Sequence, residues 1–196
     1  MIRNRYNSGF TIVELIVVII VIAILAMIVY VNYGGIRSRA YNTQVIEGVR
    51  QYRTAIEAYY GKYGKYPQTT REVNGQLIAV TCLGQGYPDG YCGRVSWNDT
   101  YEDPLFNNTM STFLDGNLPV ISAKNIAVGI ESFTGAIYGN DITDPAKVPG
   151  DYARTIQYAL EGANADCILP GAWSYRLSDN PPTTACEIVL EVIPRP

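Results

Sequence analysis

The sequence contains no histidine and only four cysteines among its 196 residues. Without histidine, a zinc site of mixed cysteine and histidine ligands is excluded, and so is a histidine general base. The chain also has no Cys-x-x-Cys pair, no Gly-x-Ser-x-Gly motif and no phosphate-binding loop of the Walker type. We therefore expect a protein that is not an enzyme and that uses no cofactor.

Positive charge is scarce in the C-terminal two thirds of the chain. Residues 66–196 carry 7 basic and 15 acidic side chains, whereas residues 36–65 carry 6 basic and 2 acidic ones. Clustered positive charge supplies most of the affinity for nucleic acid, so nucleic acid is not expected as a partner. An acidic, solvated surface that keeps copies soluble is the simpler interpretation.

Charge is almost absent from residues 10–31, where Glu14 is the only charged side chain among 22 residues. As a helix this run extends for about 33 Å, which is enough to cross a hydrocarbon layer of about 30 Å. Arg3 and Arg5 precede it and predict that the N-terminus lies in the cytoplasm and the rest of the chain outside.

Neither a cleaved secretory signal nor a generic signal anchor accounts fully for the apolar run 10–31. A cleaved secretory signal has a shorter apolar stretch followed by a small-residue site, and no Ala-x-Ala site follows here. A generic signal anchor accounts for the length and the flanking charge but not for Glu14, because an ionisable group in the apolar layer costs about 2–3 kcal/mol or more. Glu14 is therefore a candidate functional residue.

The segment Gly9-Phe10-Thr11-Ile12-Val13-Glu14-Leu15 resembles the class III signal of type IV pilins and of secretion and competence pseudopilins. The resemblance implies cleavage by a prepilin peptidase between Gly9 and Phe10, N-methylation of Phe10, and a role for Glu14 in filament assembly. It also implies a fold: a long N-terminal helix, half transmembrane and half stem, packed on a small antiparallel β-sheet head.

The resemblance further implies four segments: a leader at 1–9, a membrane and assembly helix at 10–33, a stem helix at 34–65 and an α+β head at 66–196. The expected partners are other copies of the chain or other pilins, the peptidase, membrane lipid before assembly, and a membrane assembly platform with its ATPase. The precursor is expected in the cytoplasmic membrane and the assembled subunit in an extracellular filament. A minor pilin, a pseudopilin and a signal-anchored binding protein that never polymerises remain alternatives.

The stem helix is predicted from apolar residues at three- and four-residue spacing, and its aromatic stripe is expected to pack on the head. Those residues are Ile36, Ala40, Val45, Val49, Tyr52, Ile56, Tyr59, Tyr60 and Tyr63. Many pilins carry a proline 21 residues after the first mature residue, where this chain has Val31. We expect any helix break in a filament at Gly34 and Gly35 instead.

Shorter signals predict the elements of the head. Asp103-Pro104 is typical of an N-cap followed by proline and predicts a short helix ending near Leu114. Strands are predicted in the ranges 76–82, 92–97, 154–160, 172–177 and 186–193, with two more within 125–138. In the last strand, alternation predicts Cys186, Ile188, Leu190 and Val192 inward and Glu187 and Glu191 outward.

Four cysteines in a membrane-anchored chain predict two disulfides, with three pairings possible. We favour Cys82 with Cys92, across a Gly/Pro-rich turn, and Cys167 with Cys186, which ties a loop to the last strand. Oxidised cysteines indicate a head outside the cytoplasm.

Two weaker signals lie in the head. Asp141, Asp144 and Asp151 form an acidic loop of a kind that binds Ca²⁺ in some pseudopilins, although the spacing matches no EF-hand and a solvated loop is favoured. Asn98 and Asn107 each begin a glycosylation sequon, a pattern that often arises by chance.

Overall fold

Two α-helices, one short 3₁₀ helix at Pro88–Gly90 and eleven strands are found in the described part of this computed structural model. The described residues are 10–69, 72–73, 76–77, 80–95, 98–121, 126–128, 131–141, 152–179 and 182–193. Helix α1 spans Ile12–Tyr63 and helix α2 spans Pro104–Ser111. The chain divides into two compact units, Met1–Ser38 and Arg39–Pro196. The break predicted at Gly34 and Gly35 concerns the filament and stays a prediction.

The strands of the described residues form three antiparallel sheets. Their bounds are β1 Glu72–Val73, β2 Gln76–Leu77, β3 Val80–Leu83, β4 Tyr91–Val95, β5 Asn98–Tyr101, β6 Ile126–Val128, β7 Glu131–Phe133, β8 Ala136–Asp141, β9 Tyr152–Glu161, β10 Ala172–Asp179 and β11 Pro182–Ile193. The largest sheet has the order β10-β11-β9-β8-β3, a second has the order β5-β4-β7-β6, and β1 pairs with β2. The predicted α+β class is confirmed, and the second sheet is an addition to the single small sheet that we expected.

The first turn of α2 shows why the helix starts where the sequence predicts. The Asp103 carboxylate accepts hydrogen bonds from the backbone N–H groups of Leu105 and Phe106 at 3.0 and 3.1 Å, and Pro104 occupies the first helical position. These bonds satisfy N–H groups that have no partner inside the helix. The helix ends at Ser111, three residues before the expected end, and continues as turns to Gly116.

The stem part of α1 buries one face in the core of the unit Arg39–Pro196. Val45, Val49, Tyr52 and Ile56 are fully buried, as their spacing predicts, and they pack in one cluster with side chains of β8, β9 and β11. The end of the aromatic stripe is only partly buried: Tyr60 and Tyr63 are about half exposed, while Tyr60 stacks on Tyr66 and Tyr63 lies edge-on to Phe113. Ile36 and Ala40, at the start of the stem, are exposed.

Tyrosines carry much of this core. Burial raises the pKa of Tyr41 and Tyr138 to about 12, and it also raises the pKa of Tyr52, Tyr87 and Tyr158 above the ordinary value of 10. The hydroxyl of Tyr87 donates to the carbonyl oxygen of Leu83 at 2.7 Å. These phenols are therefore held neutral inside the folded head.

These pKa shifts predict alkaline unfolding. The folded head holds protons that the unfolded chain releases near pH 10, so stability is unaffected below about pH 10 and falls as the pH rises towards 12. Tyrosinate absorbance at 295 nm should then rise in two phases, the second coinciding with loss of near-ultraviolet circular dichroism. A single reversible titration near pH 10 with the head still folded would contradict this.

Asn42 ties the stem to the end of a central strand. Its side-chain amide donates to the carbonyl oxygen of Glu161 at 2.9 Å, and its side-chain oxygen accepts from the N–H of Glu161 at 2.8 Å. The amide thus pairs with both backbone groups of Glu161, as a neighbouring strand would.

Replacing Asn42 with Asp should destabilise the head by about 1–3 kcal/mol. The carboxylate can still accept from the Glu161 N–H but has no donor for the Glu161 carbonyl, so the second bond becomes a repulsion. Thermal unfolding of the full chain in detergent micelles measures the loss. The matched control is Gln44→Glu, since Gln44 makes a similar amide bond of 2.9 Å to Val120 on the exposed side of the helix. Equal effects at the two positions would contradict the prediction.

The predicted alternation along β11 is partly wrong. Glu187 was expected to point outward, but only 1% of its surface is exposed. Its Oε1 accepts a hydrogen bond from the Gln157 amide at 3.0 Å. Strand β6 of the second sheet approaches β9, β10 and β11. The pairing register also shifts between Val189 and Glu191. After this bulge the alternation slips by one residue, so Glu191 pairs with Arg154 and Val192 is 47% exposed.

Both disulfides expected from the cysteine count are present. Cys82 is joined to Cys92, which links β3 of the largest sheet to β4 of the second, and Cys167 is joined to Cys186 of β11. This is the pairing favoured from the sequence. The first bridge therefore connects two sheets rather than only closing a turn.

Candidate functional site

The first turns of α1 expose an almost wholly apolar surface. Phe10 is 86% exposed, and the large apolar residues from Ile12 to Ile28 expose between 47% and 80% of their area. A monomeric soluble protein rarely exposes so much contiguous apolar surface, which marks an interaction site. Glu14 lies in the first turn of this helix and is itself exposed.

Glu14 and Thr11 cap the helix together. Oε2 of Glu14 accepts hydrogen bonds from the N–H and the hydroxyl of Thr11, both at 2.8 Å, and the N–H of Glu14 donates to Oγ1 of Thr11 at 3.3 Å. Because α1 begins at Ile12, Thr11 is the N-cap and Glu14 the third helical residue. This is a capping box, in which each side chain satisfies a backbone N–H that the helix leaves unpaired.

Thr11 is the residue of this site that the sequence analysis missed. The signal was present, because Thr11-Ile12-Val13-Glu14 fits the pattern of Ser or Thr followed three residues later by Glu or Gln, ahead of an apolar run. Of the other candidates, Phe10 precedes Thr11 directly, and Gly9 lies outside the described residues. The site is therefore the Glu14 carboxylate, held in the capping box with Thr11, at the start of an exposed apolar helix.

The candidate calcium loop falls mostly outside the described residues. Asp144 and Asp151 are not described, and Asp141 is the last residue of β8. Among the residues that the structure does describe, no group of three or more histidine, cysteine, aspartate or glutamate side chains is placed to hold a metal ion. Of the sequon residues, Asn107 is 7% exposed on α2, so its side-chain amide is not accessible in the folded head.

The comparison with protein families decides the nature of the N-terminal site. Residues 4–30 match the family model described as the prokaryotic N-terminal methylation motif. The chain carries a class III prepilin signal. Searches of curated proteins and of solved structures find no match to the chain.

The prepilin signal supports a type IV pilin-like or pseudopilin precursor. In general it implies processing by a prepilin peptidase and assembly of pilins with one another, and pilins are structural rather than catalytic proteins. The match ends at residue 30, so the head lies outside it. Within the described residues, no helix combines the length and the apolar character that crossing a membrane requires.

Proposed function

We propose that the chain is the precursor of a structural, non-catalytic subunit of a type IV pilus-like filament. The observation that carries this proposal is the Glu14 carboxylate at the start of an exposed apolar helix, four residues after Phe10. Cleavage at that junction creates an ammonium group on Phe10. In the apolar core of a filament an unpaired charge is costly, so the carboxylate of a neighbouring copy compensates it.

The capping box is compatible with this role. The hydrogen bonds of Glu14 within the described chain use Oε2, which leaves Oε1 for the ammonium of another copy. A neighbour displaced along the helix axis by a few residues brings its Phe10 to this carboxylate. Charge then sets the register between copies, and the apolar surface from Ile12 to Ile28 supplies the packing.

We also propose how the chain is processed, anchored and assembled. Residues 1–9 act as the leader, residues 10–33 anchor the precursor in the cytoplasmic membrane with its N-terminus inside, residues 34–65 form the stem, and residues 66–196 form the head. Two disulfides in the head support an extracytoplasmic location. An assembly platform with its ATPase then transfers the subunit from lipid into the filament.

Intact mass spectrometry of the chain, purified from cells that contain a prepilin peptidase, tests the proposal. We expect a chain that begins with N-methylated Phe10 and lacks residues 1–9. A chain that retains Met1 would favour the rival, a signal-anchored surface binding protein that never polymerises and has no need of Glu14. The retained Glu14 and the two disulfides favour a pilin over a tip-initiating pseudopilin, which often lacks that acid.

A further inference from the structure

Charge is segregated along this chain, and the charges of the stem are only partly neutralised within it. Arg50 pairs with Glu47 at 2.6 Å and Arg53 pairs with Glu57 at 2.8 Å, both inside α1. The ammonium of Lys62 lies over the rings of Tyr63 and Phe113, at 5.2 and 5.6 Å from their centroids. Two exposed arginines precede these residues, Arg37 and Arg39, and neither has an ion-pair partner among the described residues.

The head carries an excess of negative charge. Residues 66–196 carry 15 acidic and 7 basic side chains, and some of the acids are already engaged. Asp99 pairs with Arg94, Asp103 caps α2, and Glu191 pairs with Arg154. Three further acids, Asp89, Asp115 and Asp166, are exposed and have no ion-pair partner among the residues described.

We infer that Arg37 and Arg39 pair with exposed carboxylates on the head of a second copy. This inference rests on the proposed function, because it needs copies to stand side by side. Acidic heads packed along a filament repel one another, and stem cations placed between them reduce that repulsion. Residues two apart on a helix do not share a face, so the two arginines present positive charge to different neighbours.

Charge complementarity favours a second copy over an anionic membrane surface as the occupant. Both partners attract arginine, but only a second copy also relieves the excess negative charge of the head. The contact is exposed and is therefore sensitive to salt. It is separate from the pairing of Phe10 with Glu14, and the two can be tested apart.

The first test measures filament yield with Arg37→Glu/Arg39→Glu in cells that produce the assembly machinery. We expect about tenfold fewer filaments than from the unaltered chain, with unchanged removal of residues 1–9. The control is Arg50→Gln, which removes an exposed stem arginine that is already paired within its own chain, and it should leave the yield within about twofold. Equal yields from the unaltered and doubly substituted chains would overturn the inference while leaving the proposed function intact. Absence of filaments from the unaltered chain would instead count against both.

The second test identifies the partner. Filaments of Arg39→Lys, grown from a mixture of isotopically light and heavy chains, are treated with a carbodiimide that joins amines to carboxylates. We expect links between light and heavy chains that connect position 39 to acids in the range 66–196. Links confined to single chains would overturn the inference.

A third measurement addresses the competing occupant. The unassembled precursor is floated with vesicles of neutral lipid and with vesicles that contain anionic phosphatidylglycerol. If Arg37→Glu/Arg39→Glu reduces binding to the anionic vesicles but leaves filament yield unchanged, the arginines serve the membrane surface and the inference is wrong. If the substitutions reduce filament yield and leave vesicle binding unchanged, the contact between copies is supported.

Discussion

A chain carrying Glu14→Gln should lose its leader normally and yet form at least about a hundredfold fewer filaments. The reason is the charge on Phe10 after cleavage. Leaving one member of a buried ion pair without its partner costs about 3–5 kcal/mol, and each 1.4 kcal/mol is a tenfold change in an equilibrium. Counting surface filaments by electron microscopy, together with the intact mass of the chain, measures assembly and processing separately.

Glutamine is the informative replacement because of the capping box. A Gln at the third helical position can also accept from the N-cap N–H, so Glu14→Gln keeps the cap and removes only the charge. The larger change Glu14→Val removes both and should be no less severe. Normal filament yield from Glu14→Gln would show that the carboxylate serves the helix terminus alone and would remove the basis for the proposed function.

Thr11 supplies the reciprocal control. Thr11→Val removes the hydroxyl that bonds Glu14 and keeps both the carboxylate and the shape of the side chain. Loss of an N-cap costs about 0.5–2 kcal/mol, so we expect a decrease in filament yield of no more than about thirtyfold. Thr11→Ser retains a hydroxyl and should restore the yield. The contrast separates charge at position 14 from capping at position 11.

Patterns carried by neighbouring residues made much of this fold predictable. The spacing of Val45, Val49, Tyr52 and Ile56 depends only on the helical period, and the structure buries all four. The cap at Asp103 is also local, since its acceptors and donors lie within three residues. The resemblance of the segment 9–15 to the class III prepilin signal likewise depends on a short contiguous stretch, and the family match to residues 4–30 includes that stretch.

The errors arise where distant segments meet. Glu187 is polar and alternates with apolar residues, which predicts an outward side chain, but it is buried and its Oε1 accepts a hydrogen bond from the Gln157 amide. The bulge after Val189 depends on the register with β9, which a single strand does not encode. Asn42 is similar, because its bonds are to Glu161, 119 residues along the chain. Thr11 is different: its pattern was local and was overlooked.

Removing the bridge between the two sheets should have the largest effect on the stability of the head. Cys82 and Cys92 are both fully buried, so Cys82→Ala/Cys92→Ala loses a cross-link and leaves space between β3 and β4. We expect a loss of about 2–4 kcal/mol. For a unit of this size that corresponds to a fall in melting temperature of about 5–15 °C. Near-ultraviolet circular dichroism of the full chain in detergent micelles measures it.

The second disulfide, Cys167–Cys186, tests whether chain entropy or packing determines how much each bridge stabilises the head. Chain entropy predicts that Cys167 and Cys186, separated by 19 residues, matter more than Cys82 and Cys92, separated by 10, by about 0.6 kcal/mol. Packing predicts the reverse, because Cys167 is only partly buried and holds a loop, whereas Cys82 and Cys92 hold two sheets together. We expect packing to dominate, so Cys167→Ala/Cys186→Ala should unfold at the higher temperature of the two variants. The opposite order would show that the bridge across the sheets acts mainly on the unfolded chain.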